Sequence, residues 1–487
     1  MRARRWAPAA WVLAGAALLR VLAGVGFANY DTLYALAWGG QLSRGGTPAY
    51  DVAVAPTPHP LVEVVGVVLT PLGARTAIDI AVALGFIALS ACAWLIYRLG
   101  RVWAGRAAGA VAALIFVTRV PVLSYGVRAY VDLPYLALLL AALLSESRAR
   151  AYDGRAAGGR VLVLLAFAGL LRPEAWAFSG LYWLYLLDLV PARIRVAGWR
   201  SRTGDRRAIV RVTLLAAAAP LVWIASDLAI TGDPLWSLTN TRHTATTLGR
   251  VKGIGNVPEY VPRRIGEILR PPVLAAAAAG GVLSLLWLRP RVIVGAVGGV
   301  AAVAVFAGFA TLGLPINTRY AFGAAAILCV FAGIGTFGWL ALPLGSGSRR
   351  RRWMVVGIAL LVALAAYVPS QYKGAHHELA NLERQQQIEG DLVALVREGA
   401  VTLRCGPVGV PNHAPVPLLA LYLKTSPANV INGQVSRLAH GVYVDPASKT
   451  VEERYVLDPR DPHVPVSVPP GFVATRSNRS WLIFERC

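Results

Sequence analysis

Long apolar runs recur along the chain from its beginning to about residue 369, and this feature limits the possible fold more than any other. A helix that spans a bilayer needs about 20 consecutive apolar residues, within a range of roughly 17–25. When tilted and broken helices are allowed for, the sequence predicts about eleven transmembrane helices and thus a polytopic α-helical membrane protein. The predicted segments are 7–27, 76–98, 107–125, 133–145, 161–171, 175–190, 211–230, 273–288, 292–312, 321–342 and 353–369.

Arginines cluster in every second connection between these segments, and most of the other connections contain few of them. The clusters comprise Arg2, Arg4 and Arg5; Arg98, Arg101 and Arg106; Arg148, Arg150, Arg155 and Arg160; Arg193 to Arg211; Arg289 and Arg291; and Arg349 to Arg352. Positively charged loops stay on the cytoplasmic side, so this alternation predicts a plasma (inner) membrane protein with its N-terminus inside and its C-terminus outside. The outer loops 28–75 and 231–272 and the segment 370–487 then face the extracytoplasmic side.

The segment 370–487 differs in composition from the rest of the chain. It contains Pro-rich turns, short strand-like runs such as HGVYVD and SWLIFER, and one helical stretch near 378–398. This pattern predicts a small extracytoplasmic α+β domain that follows a membrane domain, 1–369. Cys405 and Cys487 both fall in the small domain, where a disulfide is chemically permitted, and the alternative is two unrelated cysteines.

The chain of 487 residues has a formal net charge of +23, but this charge does not indicate a nucleic-acid partner. The arginines lie in short clusters between apolar runs rather than on one basic surface. The sequence also contains no P-loop, Rossmann glycine fingerprint, HExxH or GxSxG motif, which argues against the common soluble enzyme classes. His376 and His377 lack further ligands at the spacing of a zinc site.

Asp31 lies just after the first predicted segment, in the stretch NYDTLYALAWGGQL. The spacing of the apolar residues predicts a helix that lies in the membrane interface, with Tyr34 on it. The Asp31 carboxylate can stabilise the N-terminus of that helix by about 0.3–1 kcal/mol. Alternatively, it can act as a general base at a site on the membrane surface.

Asp132 immediately precedes an apolar run, where an ionisable group needs a partner or a water-filled cavity. It can pair with the nearby Arg128, or it can belong to a site.

In the stretch LLRPEAW, a proline separates two short apolar runs, and the helix must break there. Arg172 and Glu174 in this stretch can close a turn as an ion pair or face a polar cavity.

Cations also concentrate on the predicted outer side. The loop 231–272, which includes Arg242 and His243, has a strong basic excess, and Arg319 lies at the outer end of another segment. Since this excess opposes the positive-inside tendency, it indicates an anionic ligand such as a phosphate in the outer leaflet. Scattered contacts with the headgroups of membrane lipids are the alternative.

These features together resemble the GT-C superfamily of integral-membrane glycosyltransferases. The resemblance rests on Asp31 and its stretch, on the HPL that begins at His59, on Asp132, and on the stretches LLRPEAW and TGDPLWSLTNT. It covers the whole chain in architecture. It implies an enzyme that transfers a monosaccharide from a polyprenyl-phosphate donor to a hydroxyl of an envelope glycan, a glycolipid or a protein on the outer face.

The resemblance also implies roles for individual residues. Asp31 would act as the base or organise the acceptor, and Asp132 would be the second acidic residue of the site. The substrate-binding candidates are Tyr34, His59, Arg172, Glu174, Arg242, His243 and Arg319. Asp31 stands alone between Tyr30 and Thr32, whereas some members have an acidic pair in this loop, so the resemblance does not require a divalent metal.

The residue types are consistent with this chemistry. A positioned carboxylate can remove the proton of a sugar hydroxyl, and arginines can stabilise the lipid phosphate as it leaves. Attack from the face opposite the phosphate would invert the anomeric centre. A membrane transporter or a lipid flippase is the alternative function, and it predicts ionisable residues deep within the spans together with inverted repeats. The sequence shows neither of these features clearly.

Overall fold

The computed structural model describes residues 3–188, 206–343, 345–456 and 467–487. Several parts of the sequence discussed above lie outside the described residues. These parts are Arg2, the arginine cluster from 193 to 202, the end of the segment 175–190 and the Pro-rich stretch 457–466, together with the side chains of 3–6.

Helices form most of the chain, as expected for a polytopic membrane protein. They are α1 (Ala3–Ala23), α2 (Tyr30–Ser43), α3 (Pro60–Leu69), α4 (Ala74–Trp103), α5 (Arg106–Val117), α6 (Val120–Val127), α7 (Asp132–Arg148), α8 (Gly159–Leu171), α9 (Glu174–Leu186), α10 (Arg206–Thr231), α11 (Trp236–Thr247), α12 (Val257–Trp287), α13 (Arg289–Thr311), α14 (Phe322–Phe337) and α15 (Gly347–Arg397). Each predicted transmembrane segment overlaps one of these helices, except that 107–125 is divided between α5 and α6.

The number of transmembrane helices stays a prediction. Among the described residues, six helices are long and apolar enough to cross a membrane, or seven if α5 and α6 form one bent span. These two helices meet at an angle of 67°. Arg119 lies at the bend, where its guanidinium donates hydrogen bonds to the carbonyl oxygens of Ile115 and Leu269. The buried Arg119 guanidinium thus provides hydrogen-bond donors for backbone carbonyl groups at the end of α5 and beside the kink of α12.

The predicted outer loop 231–272 is mostly helical in the structure. It contains α11, and α12 begins at Val257 rather than near residue 273. The sequence suggested a loop because this stretch lies between two apolar segments and is itself rich in charged and polar residues. A proline is compatible with a helix when the backbone kinks, and α12 kinks at Arg270, whose φ is 65°. Most cations of this stretch are therefore carried by helices.

α14 lies at the centre of the bundle, in contact with α5, α12 and α13. Glycines permit this close packing, since backbones can approach where side chains are absent. A Cβ on Gly333 would lie 2.2 Å from the carbonyl oxygen of Ala108, and one on Gly280 would lie 1.9 Å from that of Phe331. α14 is therefore packed closely against α5 and α12, and the turn Thr318–Ala321 leads directly into it.

A sheet follows α15, which confirms the prediction of a small sheet after the apolar segments. Its strands in the described residues are β1 (Val408–Val410), β2 (Val430–Asn432), β3 (Gly441–Pro446), β4 (Val473–Ser477) and β5 (Trp481–Arg486), with α16 (Val416–Tyr422) after β1. The order is β2-β1-β3-β5-β4. β1 is parallel to β2 and β3, whereas β5 is antiparallel to β3 and β4. We call residues 400–487 the sheet region.

The predicted domain boundary at residue 369 falls inside α15, which continues to Arg397. The division of the chain into the domains 1–369 and 370–487 therefore stays a prediction. Because the helix continues through Pro369 into the polar part of the chain, the apolar pattern that ends there does not mark the end of a secondary-structure element.

α2 lies between the helix bundle and the sheet region. Leu33, Leu36 and Trp38 belong to one hydrophobic core with residues of α15, α16 and the sheet. On another side, a Cβ on Gly39 would lie 2.5 Å from the carbonyl carbon of Gly66 in α3. Protein thus covers this helix, and Thr32 to Gln41 are all buried, so its apolar residues pack against protein; its position at the membrane interface stays a prediction.

Cys405 and Cys487 form a disulfide in the structure, and are thus not two unrelated cysteines. Cys92 and Cys329 are buried free thiols.

We expect alkylation of the unfolded, unreduced protein to label two cysteines, and alkylation after reduction to label four. The bond joins residues 82 apart in sequence, so Cys487→Ser should destabilise the sheet region by about 2–4 kcal/mol in thermal melts. Labelling of four thiols without reductant would contradict the pairing.

Candidate functional site

Asp31 lies in the first turn of α2, and the residue that caps this helix fixes its backbone. The side-chain oxygen of Asn29 accepts hydrogen bonds from the backbone N–H of Asp31, at 2.8 Å, and of Thr32, at 3.3 Å. Asparagine is among the favoured residues at this position. The Asp31 carboxylate accepts a hydrogen bond of 2.5 Å from Nη1 of Arg319. Asp31 is thus both a first-turn carboxylate and half of an ion pair.

Arg319 belongs to the short turn before α14, 288 residues away from Asp31 in the sequence. The pair is largely buried, with 24% of the Arg319 side chain and 14% of the Asp31 side chain exposed. Burial raises the pKa of the Asp31 carboxyl, but the positive charge of Arg319 outweighs this effect and lowers the pKa below its ordinary value. Asp31 is therefore ionised at neutral pH.

Asp31 and Arg319 line a cavity of about 380 Å³ where the helix bundle meets the sheet region. Arg250 and Arg264 also line it, so the cations in its wall outnumber Asp31. Further lining residues carry hydroxyl groups or an imidazole, namely Tyr30, Tyr125, Tyr130, Tyr320, Tyr455, Thr57, Thr241, Thr244, Thr318 and His413. Such a wall suits a ligand that has both an anionic group and hydroxyl groups.

A second charged cluster lies outside the cavity wall. The Arg172 guanidinium forms ion pairs with Asp132 and, at 2.5 Å, with Glu174, and all three residues are buried. The predicted ion pair of Arg172 with Glu174 is thus present. Arg128, the alternative partner of Asp132, instead places its guanidinium over the ring of Tyr130, 5.0 Å from the ring centroid.

Tyr320 connects the two charged clusters. The guanidinium of Arg172 lies 4.7 Å from the centroid of its ring, and that of Arg319 lies 5.7 Å from it. The face of an aromatic ring attracts cations, so one tyrosine contacts both arginines favourably. The buried cluster of Arg172, Asp132 and Glu174 therefore supports the position of Arg319 without facing the cavity.

Tyr34 and His59, two of the predicted substrate-binding residues, are buried and do not belong to the cavity wall. The Tyr34 ring packs edge-on against that of Tyr30, which does line the cavity, with 5.0 Å between ring centroids. His59 immediately precedes α3. Burial and the positive charge of Arg172 lower the pKa of His59 to about 4, so the imidazole is neutral at pH 7.

Arg242 and His243 lie on an exposed face of α11 and do not line the cavity. Arg242 donates a hydrogen bond of 2.7 Å to the carbonyl oxygen of Leu312. The same basic stretch contributes Arg250 and Arg264 to the cavity instead. The sequence shows that Arg250 and Arg264 belong to the basic stretch. It does not show which cations of this stretch face the cavity.

His413 and Tyr455 of the sheet region were missed by the sequence analysis. The His413 ring packs edge-on against Tyr30, with 5.3 Å between centroids, directly beside Asp31. Its Nδ1 lies 3.2 Å from Oε1 of Gln434. No sequence motif links these residues with the first outer loop, because the contact exists only when the sheet region has docked on α2.

The described residues contain no group of three His, Cys, Asp or Glu side chains that could hold a metal ion. Asp31 and Asp132, the two acidic residues singled out from the sequence, each pair with an arginine instead. In the part of the chain that the structure describes, the divalent metal left open by the sequence thus lacks a ligand set.

The sequence matches no protein-family model and shows no significant match to a curated protein. The structure is similar to ArnT from Cupriavidus metallidurans bound to undecaprenyl phosphate, with a TM-score of 0.53, 14% identity and 98% of each chain covered. For the apo state of the same protein the TM-score is 0.55 at 15% identity, with 99% of this chain and 98% of that chain covered.

The structure is also similar to the archaeal oligosaccharyltransferase AglB from Archaeoglobus fulgidus, in complex with an inhibitory peptide and a dolichol-phosphate. The TM-score is 0.50 at 11% identity, with 92% of this chain and 70% of that chain covered. Since the likeness to ArnT extends from one end of the chain to the other, it confirms the predicted architecture at the level of the fold. At such low identity, it is the fold that is shared.

The buried cluster generates a prediction about stability. Arg172→Met leaves the carboxylates of Asp132 and Glu174 buried without their counter-ion, which should destabilise the protein by about 3–5 kcal/mol in thermal melts of the detergent-solubilised protein. Adding Asp132→Asn and Glu174→Gln should recover much of this loss, because no buried charge then remains. The matched control is Arg263→Met, which should change little, because the Arg263 side chain that pairs with Glu259 and Glu267 is exposed. Equal effects of the two arginine substitutions would contradict the assignment.

Proposed function

We propose that this multi-pass membrane protein is a GT-C-type glycosyltransferase. It transfers a monosaccharide from a polyprenyl-phosphate donor to a hydroxyl of an envelope glycan, a glycolipid or a protein. The observation that carries this proposal is the pair of Asp31 and Arg319 in the wall of a cavity that Arg250 and Arg264 also line. The lipid phosphates bound to ArnT and AglB support a donor of this class.

We further propose that the protein lies in the plasma (inner) membrane with the cavity on the extracytoplasmic side. α13 ends shortly before the turn that carries Arg319, and its other end begins with Arg289, at the arginine cluster predicted to be cytoplasmic. A helix of this length, 23 residues, separates its ends by about 35 Å. The cavity and the arginine cluster are therefore about one membrane thickness apart. This distance supports a cavity on the side opposite the cluster, which the positive-inside rule assigns to the cytoplasm.

In the proposed reaction, the acceptor hydroxyl attacks the anomeric carbon of the donor sugar. The new bond forms between the hydroxyl oxygen and this carbon while the bond from the carbon to the phosphate oxygen breaks. Asp31 receives the hydroxyl proton, and the lipid phosphate leaves with the bonding electron pair. Arg250, Arg264 and Arg319 can stabilise the charge that develops on that phosphate. Attack opposite the leaving group inverts the anomeric centre.

Arg319 has two tasks in this proposal, and they are linked. In the structure it neutralises Asp31, which keeps the pKa of the carboxyl low and its basicity weak. A donor phosphate in the cavity would compete with Asp31 for the guanidinium. Because part of the compensating charge is then withdrawn from Asp31, burial raises its pKa and its strength as a base increases when the donor is present.

The central test is a transfer assay with purified protein and a defined polyprenyl-phosphate sugar. Asp31→Asn should lower kcat by about 100-fold or more, since a general base contributes this much. It should not weaken donor binding, because the carboxylate that competes with the donor phosphate for Arg319 has lost its charge. The matched control is Asp51→Asn, an exposed carboxylate of the same loop, which should retain wild-type activity.

Two outcomes of this assay would count against the proposal. Full activity in a well-folded Asp31→Asn protein would exclude Asp31 as the base. Movement of the lipid-linked sugar across liposome membranes by the wild-type protein, without transfer to any acceptor, would favour the flippase instead.

The pH dependence of the reaction gives a second test of Asp31. Its pKa is lowered by Arg319, so the stabilisation from the pair is present above the ordinary pKa of an aspartate and is lost as the pH falls through the lowered value. Arg319→Gln removes the largest effect that lowers the pKa of the Asp31 carboxyl, so this pKa rises although the weaker effects of His59 and Arg172 remain. We expect the acid limb of the kcat/KM profile to move to higher pH in this variant and to stay in place in Arg263→Gln. An unmoved limb in Arg319→Gln would contradict the role of Asp31 as the titrating base.

A further inference from the structure

Asn29 lies directly before α2, and every polar atom of its side chain has a hydrogen-bond partner. The side-chain oxygen accepts from the backbone N–H of Asp31 and of Thr32. Nδ2 donates to the hydroxyl of Thr32 at 3.0 Å and to the carbonyl oxygen of Arg128 at 2.9 Å. The backbone N–H of Asn29 donates to that same carbonyl oxygen, also at 2.9 Å. Only 4% of Asn29 is exposed, so water contributes little to this network.

The partner of Asn29 is the segment that leads into the second acidic residue. The Thr32 hydroxyl donates to the carbonyl oxygen of Ala129 at 2.8 Å, and the backbone N–H of Phe27 donates to that of Val127 at 3.3 Å. Asp132 follows shortly after at the start of α7. Asn29 therefore joins the two segments that carry Asp31 and Asp132.

This junction also reaches the cavity wall. Arg128, whose carbonyl oxygen accepts both bonds from Asn29, holds its guanidinium over the rings of Tyr125 and Tyr130 at 5.4 and 5.0 Å. Both tyrosines line the same cavity as Asp31. A displacement of the Arg128 backbone relative to Asn29 would change the distance between this wall and the Asp31 carboxylate.

We propose that Asn29 is a positioning residue, which holds the Asp31 carboxylate against Arg319 and sets its place relative to the wall formed by Tyr125 and Tyr130. The catalytic part of this inference rests on the proposed function, whereas the positioning part does not. Asparagine suits the role because its amide supplies an acceptor for the helix end and donors for the second segment. Serine can cap the helix, but it has no amide nitrogen to donate to Arg128.

The first experiment needs no substrate. Thermal stability is measured for the wild type, Asn29→Ala, Arg319→Gln and the double variant. Asn29 and Arg319 are connected through Asp31, so the decrease in Tm caused by Arg319→Gln should be smaller in the Asn29→Ala background. The matched control is Ser426→Ala, another side-chain cap, whose bond to the N–H of Ala428 lies in the sheet region. Its effect should add to that of Arg319→Gln, and additivity for Asn29→Ala as well would overturn the positioning role.

The second experiment measures the reaction in Asn29→Ser, which keeps a capping oxygen and loses the amide donors. A small misplacement of a catalytic group can lower the rate strongly, so we expect kcat to fall by about 10-fold to 100-fold, with the KM for the donor within about twofold. The acid limb of kcat/KM should also move to higher pH, because Asp31 is less well held by Arg319.

Wild-type kcat and an unmoved limb in Asn29→Ser would overturn the inference. If the wild-type protein transfers no sugar from any polyprenyl-phosphate donor, the proposed function fails, and the stability cycle alone decides whether Asn29 positions Asp31.

Discussion

A charged side chain that is removed from water needs a partner of opposite charge, and the geometry of this site depends on that constraint. Arg172 is buried between Asp132 and Glu174, and Arg319 is held by Asp31. The first cluster joins the start of α7 to the turn between α8 and α9, and the second joins α2 to the start of α14. Since separation of either pair would leave a charge without compensation, the pairs fix the relative positions of these helices.

The positions of the helices could be predicted largely from the sequence, because long apolar runs indicate segments that are buried away from water. The failures have definite causes. The stretch 231–272 was predicted to be a loop because it is not apolar, although α11 and the first part of α12 are helical there and α12 kinks at Arg270. The apolar pattern of α2 was attributed to a membrane interface, whereas its apolar residues pack against α16 and the sheet. An apolar face shows that a helix is covered, but it does not show whether lipid or protein covers it.

Residues of the candidate site could be predicted only where a charged side chain lies at the end of a predicted transmembrane segment. Asp31 and Arg319 were noticed because each lies at the end of an apolar segment, and the structure brings them together in one cavity wall. Their pairing could not be read from the sequence, because it depends on the packing of helices that are distant in the chain. Arg242 and His243 show the same limit: an excess of charge identifies a basic stretch but not the face that turns toward the cavity.

The way in which the sheet region is held determines whether its residues can take part in the site. α15 has 51 residues, so as a helix it is about 76 Å long. Tilting a helix of this length by about 5° would move its end by about 7 Å, which is more than a reaction can tolerate. The sheet region is instead fixed by its core contact with α2, the helix that carries Asp31. His413 packs against Tyr30, the residue next to Asp31. Because the same short helix carries Asp31 and packs against the core of the sheet region, the contact between His413 and Tyr30 stays next to the Asp31 carboxylate.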